Sequence, residues 1–526
     1  MLQPLADLAL PVTAGHRKST AAGRKARVIR PALRTMRVRS ARSGALMIPR
    51  ISLAPLLCLW LAIPAYAAED APENAILFES RAGDKVEAFH GVMSVPENRA
   101  DPKSRTIEVH YVRFAATGGH PGSPIVYLAG GPGGSGIDTA KGERFPLFMA
   151  MREFGDVIAL DQRGTGLSEM APKCVSDVVI PLDRVVARDE SNRLLRQAAE
   201  QCGAFWRTSG FDPAGYTTVE NARDLDALRV HLGADKITLW GISYGTHLAL
   251  AAVKTMSPRI DRIVLASVEG LDQTVKLPSE TDAYFDRLQA AVDLEPAAKA
   301  AFPDIKALMR RVHAKLDAEP VMLHVPTTGG PKDMLLTTEN MQMAASTLIS
   351  DPGSAAQLLM LYLAVDAGYT EPLAGLFGRF VVPGAPEAFR LMPLAMDVAS
   401  GIGAQRLAQV QDEARSALLG DVLNYPMPQL TGVLGLDLGD GFRATAQSDI
   451  PVLVLTGTLD GRTYPREQQA AVAGLSNATT VTVANAGHNL FMVSPEVTEV
   501  IREFMRGDTP HTDLIKVPAP SFAPNM

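Results

Sequence analysis

Cysteine is scarce in this chain of 526 residues, which contains only Cys58, Cys174 and Cys202. No group of His, Cys, Asp and Glu side chains has the spacing of a metal site. Neither phosphate-binding glycine motif is present in its required setting, which is G-x-G-x-x-G in a nucleotide-binding unit or G-x-x-x-x-G-K-[ST]. We therefore expect no metal and no nucleotide cofactor.

Acidic residues are almost missing from the first fifty positions, which hold eleven Lys and Arg but a single acid, Asp7. An apolar run at 51–67 follows and ends in Ala65-Tyr66-Ala67, a pattern typical of signal-peptide cleavage. We expect residues 1–67 to be a basic extension plus a secretory signal peptide, and the mature protein to be periplasmic or extracellular. Translation is predicted to start near Met47, with a long targeting extension as the alternative. The run is short for a membrane span, so we expect no stable membrane anchor after cleavage.

The mature chain is predicted to be strongly acidic. The whole chain has 51 Lys and Arg and 57 Asp and Glu. Without the eleven basic residues and one acid that precede position 68, 40 basic and 56 acidic residues remain, a net charge of −16. This balance argues against nucleic acid and anionic membranes as partners. The two cysteines that remain, Cys174 and Cys202, are predicted to form a disulfide in an oxidising compartment, with two buried thiols as the alternative.

Short apolar runs that alternate with helical segments indicate an α/β protein with a mostly parallel sheet and helices on both faces. β-like runs at 88–95 and 106–114 predict an antiparallel hairpin before this sheet. Buried-type strands are predicted at 124–128, 157–160, 237–240, 263–266, 450–455 and 479–483. Residues 68–270 and 450–510 would form the two parts of the core. Residues 271–449 are mostly helical and predict an inserted cap, and residues 511–526 predict a flexible tail.

Gly241-Ile242-Ser243-Tyr244-Gly245 lies between a β-prone run and a helical segment. A sharp strand-to-helix turn exposes a serine hydroxyl for nucleophilic attack, and flanking glycines permit such a turn. Ser243 is therefore the predicted nucleophile. The alternative is a glycine-rich turn with a serine that has no catalytic role.

Asp460 and His488 each follow a later predicted strand, and the order Ser, Asp, His is that of an α/β-hydrolase triad. His488 would take the Ser243 proton, and Asp460 would orient the His488 ring. His247 is too close to Ser243 along the same helix to be the base, so we interpret it as structural. The tetrahedral oxyanion needs donors, which we assign to the N–H groups of Gly131 and Tyr244.

Three linked motifs carry a family resemblance: residues 130–136 (GGPGGSG), 161–168 (DQRGTGLS) and 241–246 (GISYGT). Together with residues 457–460 and Gly487-His488, they resemble the prolyl aminopeptidase and tripeptidyl aminopeptidase group of α/β-hydrolase serine peptidases. The resemblance covers roughly residues 91–504. It implies the α/β-hydrolase fold and the release of N-terminal amino acids or short peptides without a cofactor.

In that group, cap carboxylates hold the free amino group of the substrate. The resemblance makes four residues candidates for this role: Glu269, Asp272, Glu280 and Asp397. A peptide or a small ester or amide is the expected substrate. A carboxylesterase or lipase is the first alternative, because fold and triad do not fix the leaving group. A binding protein without catalysis is the second.

Overall fold

A ten-stranded sheet organises residues 73–524, which are the residues that the computed structural model describes. Its order is β1-β2-β3-β5-β4-β7-β8-β12-β13-β14. The remaining strands form two short two-stranded sheets, β9 with β10 and β6 with β11. In chain order the strands are Asn74–Glu79 (β1), Lys85–Pro96 (β2), Thr106–Phe114 (β3), Ile125–Leu128 (β4), Val157–Leu160 (β5), Cys174–Val175 (β6), Ile237–Ser243 (β7), Ile260–Val268 (β8), Val321–Val325 (β9), Lys332–Leu336 (β10), Ala388–Phe389 (β11), Val452–Gly457 (β12), Ala478–Ala484 (β13) and Leu514–Lys516 (β14).

The sheet is antiparallel at its beginning and parallel afterwards. β2 and β3 pair antiparallel, as predicted, and β1 with β2 and β3 with β5 do so as well. From β5 across to β14 every neighbouring pair is parallel. The carboxyl ends of these parallel strands therefore meet at one edge, where ligands bind in open α/β sheets.

Helices cover both faces of the sheet. Side chains of β7 alternate, so Leu239 packs with α3, α4 and α5 while Trp240 packs with α1, α2 and α16. The helices are Gly136–Lys141 (α1), Phe145–Met151 (α2), Arg188–Thr208 (α3), Thr218–His231 (α4), Tyr244–Met256 (α5), Pro278–Val292 (α6), Pro296–Ala301 (α7), Ile305–Ala318 (α8), Thr338–Leu348 (α9), Pro352–Asp366 (α10), Glu371–Phe377 (α11), Leu391–Ser400 (α12), Ala404–Glu413 (α13), Gly439–Arg443 (α14), Pro465–Ala471 (α15) and Pro495–Arg506 (α16). In the described part of the chain, none of them is long and apolar enough to cross a membrane.

The mostly helical segment is an insertion between two neighbouring strands. β8 ends at Val268 and β12 begins at Val452, yet the two strands pair directly, with Ile263 opposite Val452. α6 to α14 lie between them. α6 to α11 build a separate apolar core, whereas α12 to α14 pack into the core of the sheet. The hairpin β9–β10 inside this insertion was not predicted, because both strands are short and largely exposed and carry only a weak alternation.

The prediction of a flexible tail at 511–526 is wrong for the residues that the structure describes. β14 pairs in parallel with β13 and buries Ile515 completely. Phe522 is 2% exposed in the core of the insertion, and its N–H donates to Glu295 at 2.9 Å. Proline-rich composition suggested looseness, but the free edge of β13 and the pocket for Phe522 hold the tail. The predicted signal peptide and start at Met47 lie outside the described residues.

The predicted disulfide is confirmed: Cys174 and Cys202 are bonded, with their Cα atoms 5.5 Å apart. The bond joins β6 to α3 and closes a segment with a sequence separation of 28. Because the crosslink restricts the unfolded chain, it stabilises the folded state by about 3–4 kcal/mol in the chain-entropy description.

Removing both thiols, in the variant Cys174→Ala with Cys202→Ala, should lower the free energy of unfolding by about 3–4 kcal/mol. Urea denaturation followed by tryptophan fluorescence measures this loss. Reductant should destabilise the natural chain to the same extent and leave the double variant unchanged. A double variant as stable as the oxidised natural chain would contradict the prediction.

Candidate active site

Ser243 occupies a strained turn between β7 and α5. Its backbone has φ 56° and ψ −130°, a conformation that residues with a side chain rarely adopt. A Cβ on Gly245 would lie 2.1 Å from the Leu128 carbonyl oxygen, and one on Gly241 would lie 2.7 Å from the Gly245 oxygen. The two glycines of the motif are thus required because α5 crosses β7 and β4 at backbone contact distance.

The Ser243 side chain faces a cavity of about 190 Å³ at the carboxyl edge of the sheet. His488 lines the same cavity, so the predicted nucleophile and base share one solvent space. Among residues 73–524 the Ser243 hydroxyl makes no hydrogen bond. Catalytic hydrogen bonds are commonly long without substrate and shorten when it binds.

His488 and Asp460 are held together by hydrogen bonds. Nδ1 of His488 lies 3.1 Å from Oδ1 and 3.0 Å from Oδ2 of Asp460. Asp460 is fully buried, whereas the His488 side chain is 18% exposed. Burial alone would raise the pKa of Asp460, but the interaction with His488 and the Thr463 hydrogen bonds outweigh it, so the pKa is lowered. Asp460 is therefore an ionised acceptor, and His488 Nδ1 carries the proton.

Thr463 is a site residue that the sequence reasoning missed. Its hydroxyl donates to Asp460 Oδ2 at 2.6 Å, and its N–H donates to Oδ1 at 2.8 Å. The N–H of Arg462 adds a third donor to Oδ1 at 2.8 Å. The spacing Asp-x-x-Thr after β12 was the available signal, because a short polar side chain there can bond back to the turn.

The predicted oxyanion donors lie beside Ser243. A Cβ placed on Gly130 would be 3.0 Å from the Ser243 Cβ, so the glycine loop passes directly over the nucleophile. Gly131 has φ 128°, which favours glycine, and its N–H donates to no protein acceptor within residues 73–524. Tyr244 is the first residue of α5, so its N–H has no acceptor in its own helix. Both N–H groups remain candidates for the oxyanion.

Two of the four candidate amine-binding residues, Glu269 and Asp397, line the cavity with Ser243. The other two do not line it. Asp272 accepts a hydrogen bond from Gly403 N at 2.7 Å and holds the start of α13. Glu280 lies 3.5 Å from Arg466.

Lys276, which the sequence reasoning did not single out, forms an ion pair with Glu269 at the cavity wall. Burial would raise the pKa of Glu269, but Lys276 outweighs burial and lowers it. Burial, together with the nearby negative Glu269, raises the pKa of Asp397 to about 7. Lys276 therefore pairs directly with one carboxylate of the cavity, whereas Asp397 forms no ion pair among residues 73–524.

The inserted segment contacts the loops that carry Asp460 and His488. His488 N donates to Ser350 O at 2.8 Å, and Asn489 N donates to Asp351 Oδ1 at 3.3 Å. A Cβ on Gly461 would lie 2.1 Å from the Ile349 carbonyl oxygen, and one on Gly487 would lie 2.6 Å from the Asp351 Cα, so neither position can carry a side chain. The turn between α9 and α10, residues 349–351, is thus wedged between the acid and base loops and fixes their separation.

His247 has a structural position, as expected. Its ring nitrogens lie 3.1 Å from Gly270 O and 3.1 Å from Ser400 Oγ, and burial lowers its pKa. Across the described residues, no group of three or more His, Cys, Asp or Glu side chains could hold a metal ion.

Comparisons with known proteins agree with this geometry. The family model described as α/β hydrolase fold matches residues 124–346, and the model described as TAP-like protein matches residues 440–515. The fold is that of the α/β hydrolases. The two matches fall on either side of the inserted segment's second half and include Ser243, Asp460 and His488.

Several named relatives of this α/β-hydrolase chain are peptidases. Serine protease Hip1 of Mycobacterium tuberculosis is 31% identical over 192 residues, which cover 34% of this chain and 35% of the relative. Tripeptidyl aminopeptidase of Streptomyces coelicolor is 32% identical over 197 residues, with 34% of each chain covered. A probable proline iminopeptidase of the same organism is 28% identical over 159 residues, 30% of this chain and 37% of the relative. The chain thus spans about a third of the length of the first two relatives. The resemblance to the prolyl and tripeptidyl aminopeptidase group is confirmed.

Solved structures also align with this α/β hydrolase. A proline iminopeptidase-related protein from Thermus thermophilus is 16% identical, with a TM-score of 0.36 over 80% of this chain and 99% of that one. A thermophilic esterase from Thermogutta terrifontis is 18% identical, with a TM-score of 0.32 over 80% and 100%.

Replacing Thr463 with valine should slow the reaction of Ser243 with a fluorophosphonate by about 10- to 100-fold. The change removes a hydrogen bond to a buried carboxylate, worth about 1.5–3 kcal/mol. Intact-mass spectrometry measures the labelling rate. Thr463→Ser keeps the hydroxyl and should retain most of the rate, and equal rates for the valine and serine variants would contradict the assigned role of the hydroxyl.

Proposed function

We propose that this protein is an exported serine hydrolase that acts as an aminopeptidase, releasing N-terminal amino acids or short peptides of the prolyl or tripeptidyl type. The observation that carries the proposal is the pair of hydrogen bonds from His488 to buried Asp460, next to the strained Ser243 in one cavity. The peptidase names of the matched relatives support the choice of substrate.

In this proposal Ser243 Oγ attacks the scissile carbonyl while His488 Nε2 takes its proton. Asp460 holds the Nδ1–H and stabilises the imidazolium that forms. The N–H groups of Gly131 and Tyr244 bind the oxyanion, each contributing roughly 3–4 kcal/mol. His488 then protonates the leaving amine, and water hydrolyses the acyl-enzyme by the same steps in reverse order.

The charges of the cavity support an exopeptidase. A free N-terminus is an ammonium ion, which needs a carboxylate partner when it leaves water. Glu269 is already paired with Lys276, whereas Asp397 forms no direct ion pair with any of residues 73–524. Asp397 is therefore the residue that we assign to the substrate amine.

Export is part of the proposal. The disulfide between Cys174 and Cys202 is a bond that persists in oxidising compartments. The predicted signal peptide at 1–67 supports the same location.

Assays on three substrate classes test the function. Aminoacyl and tripeptidyl anilides with a free amine should be hydrolysed, and Ser243→Ala should lower kcat by at least about 10⁴-fold. Ser416→Ala, on the exposed surface of the insertion, serves as the matched control and should retain full activity. Hydrolysis of p-nitrophenyl esters without any hydrolysis of amides would show that the protein is a carboxylesterase and not a peptidase. A protein that hydrolyses none of these substrates and is not labelled at Ser243 by a fluorophosphonate would be a binding protein.

Competitive inhibition should report the charge of Asp397. Its folded-state pKa of about 7 lies above the ordinary value, so the carboxylate loses its charge as the pH falls through 7. After correction for the fraction of its own amine that is protonated at each pH, a free-amine inhibitor such as leucinamide should therefore bind about tenfold more weakly at pH 5 than at pH 8, the loss of one charge-assisted hydrogen bond. The desamino analogue isocaproamide should show no such change.

Asp397→Asn provides the control for this measurement. It should bind leucinamide weakly at both pH values. Because a raised pKa means that the charged carboxylate disfavours the folded state above about pH 4, with the full effect above pH 7, the variant should melt no lower than the natural chain at pH 8. Equal pH dependence for both inhibitors would refute the role of Asp397.

A further inference from the structure

A second cavity of about 460 Å³ adjoins the catalytic one. We call it the side chamber. Most of its wall is apolar, and the principal apolar residues are Val175, Leu195, Phe380, Phe389, Pro393 and Leu394. This volume falls within the range of about 300–1,000 Å³ typical of small-molecule sites, whereas the catalytic cavity alone, at about 190 Å³, lies below it.

The two cavities are adjacent, because four residues line both. They are Pro132, Asp397, Tyr425 and Pro426. Pro132 follows the proposed oxyanion donor Gly131 directly. A group on the reacting carbonyl that extends from Ser243 past Pro132 would therefore reach the side chamber.

The position of His488 decides which part of the substrate would occupy the side chamber. The leaving group must lie next to His488, which protonates it. His488 and the neighbouring Thr463 line the catalytic cavity but not the side chamber. The side chamber is therefore bordered by the oxyanion loop and Asp397 and not by the base, which fits the acyl portion of the substrate rather than the leaving group.

The charges along this path fit an acyl portion with a free amine and an uncharged side chain. Asp397 lies at the boundary, within reach of both spaces. The other charged residues of the chamber wall are Lys173 and Arg390, which are exposed. These two cations would repel a Lys or Arg side chain.

A disulfide and a strand pairing fix the wall of the side chamber. Cys174, in the disulfide with Cys202 of α3, precedes Val175, and α3 also supplies Leu195. β6 pairs with β11, which carries Phe389. The chamber is thus preformed, which reduces the entropy cost of ordering it around a ligand.

We propose that the side chamber binds a bulky apolar group on the acyl side of the scissile bond, so the preferred substrates carry large apolar residues N-terminal to the cut. This inference rests on the proposed function, because it assumes that Ser243 is acylated. Burial of each additional methylene favours binding, so the preference should grow with the size of the group.

Two phosphonofluoridates that differ only in the alkyl group on phosphorus, ethyl or octyl, test the inference. The Ser243 oxygen forms a bond to phosphorus, fluoride leaves and His488 accepts the hydroxyl proton, so the alkyl group takes the acyl position. Labelling rates are read by mass spectrometry. In the natural protein, octyl should react at least about tenfold faster than ethyl.

Ala385→Phe, at the chamber wall, should lower the octyl-to-ethyl rate ratio at least about fivefold by filling the space. Val382→Trp should do the same from another position, and melting temperatures check that both variants fold. Ala367→Phe, exposed at the end of α10 and not among the residues that line either cavity, should keep the natural ratio.

The outcomes separate the two proposals. Labelling at equal rates by both probes, or an unchanged ratio in the chamber variants, overturns the side chamber inference and leaves the reactive serine in place. No labelling of Ser243 by either probe overturns the serine hydrolase proposal and this inference with it.

Discussion

The arrangement of the site depends on one buried carboxylate. Asp460 has no solvent contact, and its charge is compatible with burial only because His488, Thr463 and two backbone N–H groups satisfy its oxygens. Those same bonds fix the ring of His488 relative to β12 and its loop. Removing any one donor leaves part of a buried charge unsatisfied, so the position of the base and the stability of this loop are coupled.

Much of the core was predictable because its strands are buried on both faces. Uninterrupted apolar runs such as 157–160 leave little choice between alternatives, and Val157–Leu160 was predicted at its observed bounds. Ser243, Asp460 and His488 were identified together because all three follow strands of one parallel sheet, whose ends must meet at one edge. The disulfide followed from a count of two cysteines in an oxidising compartment.

What the sequence did not reveal depends on contacts between distant segments. The sequence around Lys276 does not distinguish it from a surface lysine, and only folding brings it against Glu269 at the cavity wall. The tail after Gly507 appeared loose because its partners, β13 and Glu295, lie far away along the chain. Asp272 and Glu280 resembled the other two candidate carboxylates in sequence, and only the packing of the insertion separates them from the cavity.

The wedge formed by residues 349–351 restricts how the insertion can move. Residues 349–351 pack so closely against Gly461 and Gly487 that neither position has room for a side chain. A displacement here would also break the hydrogen bond from His488 N to Ser350 O and shift the base away from Ser243. A motion of the insertion that opened this edge would have to break these contacts, so we expect residues 349–351 to stay in place beside His488.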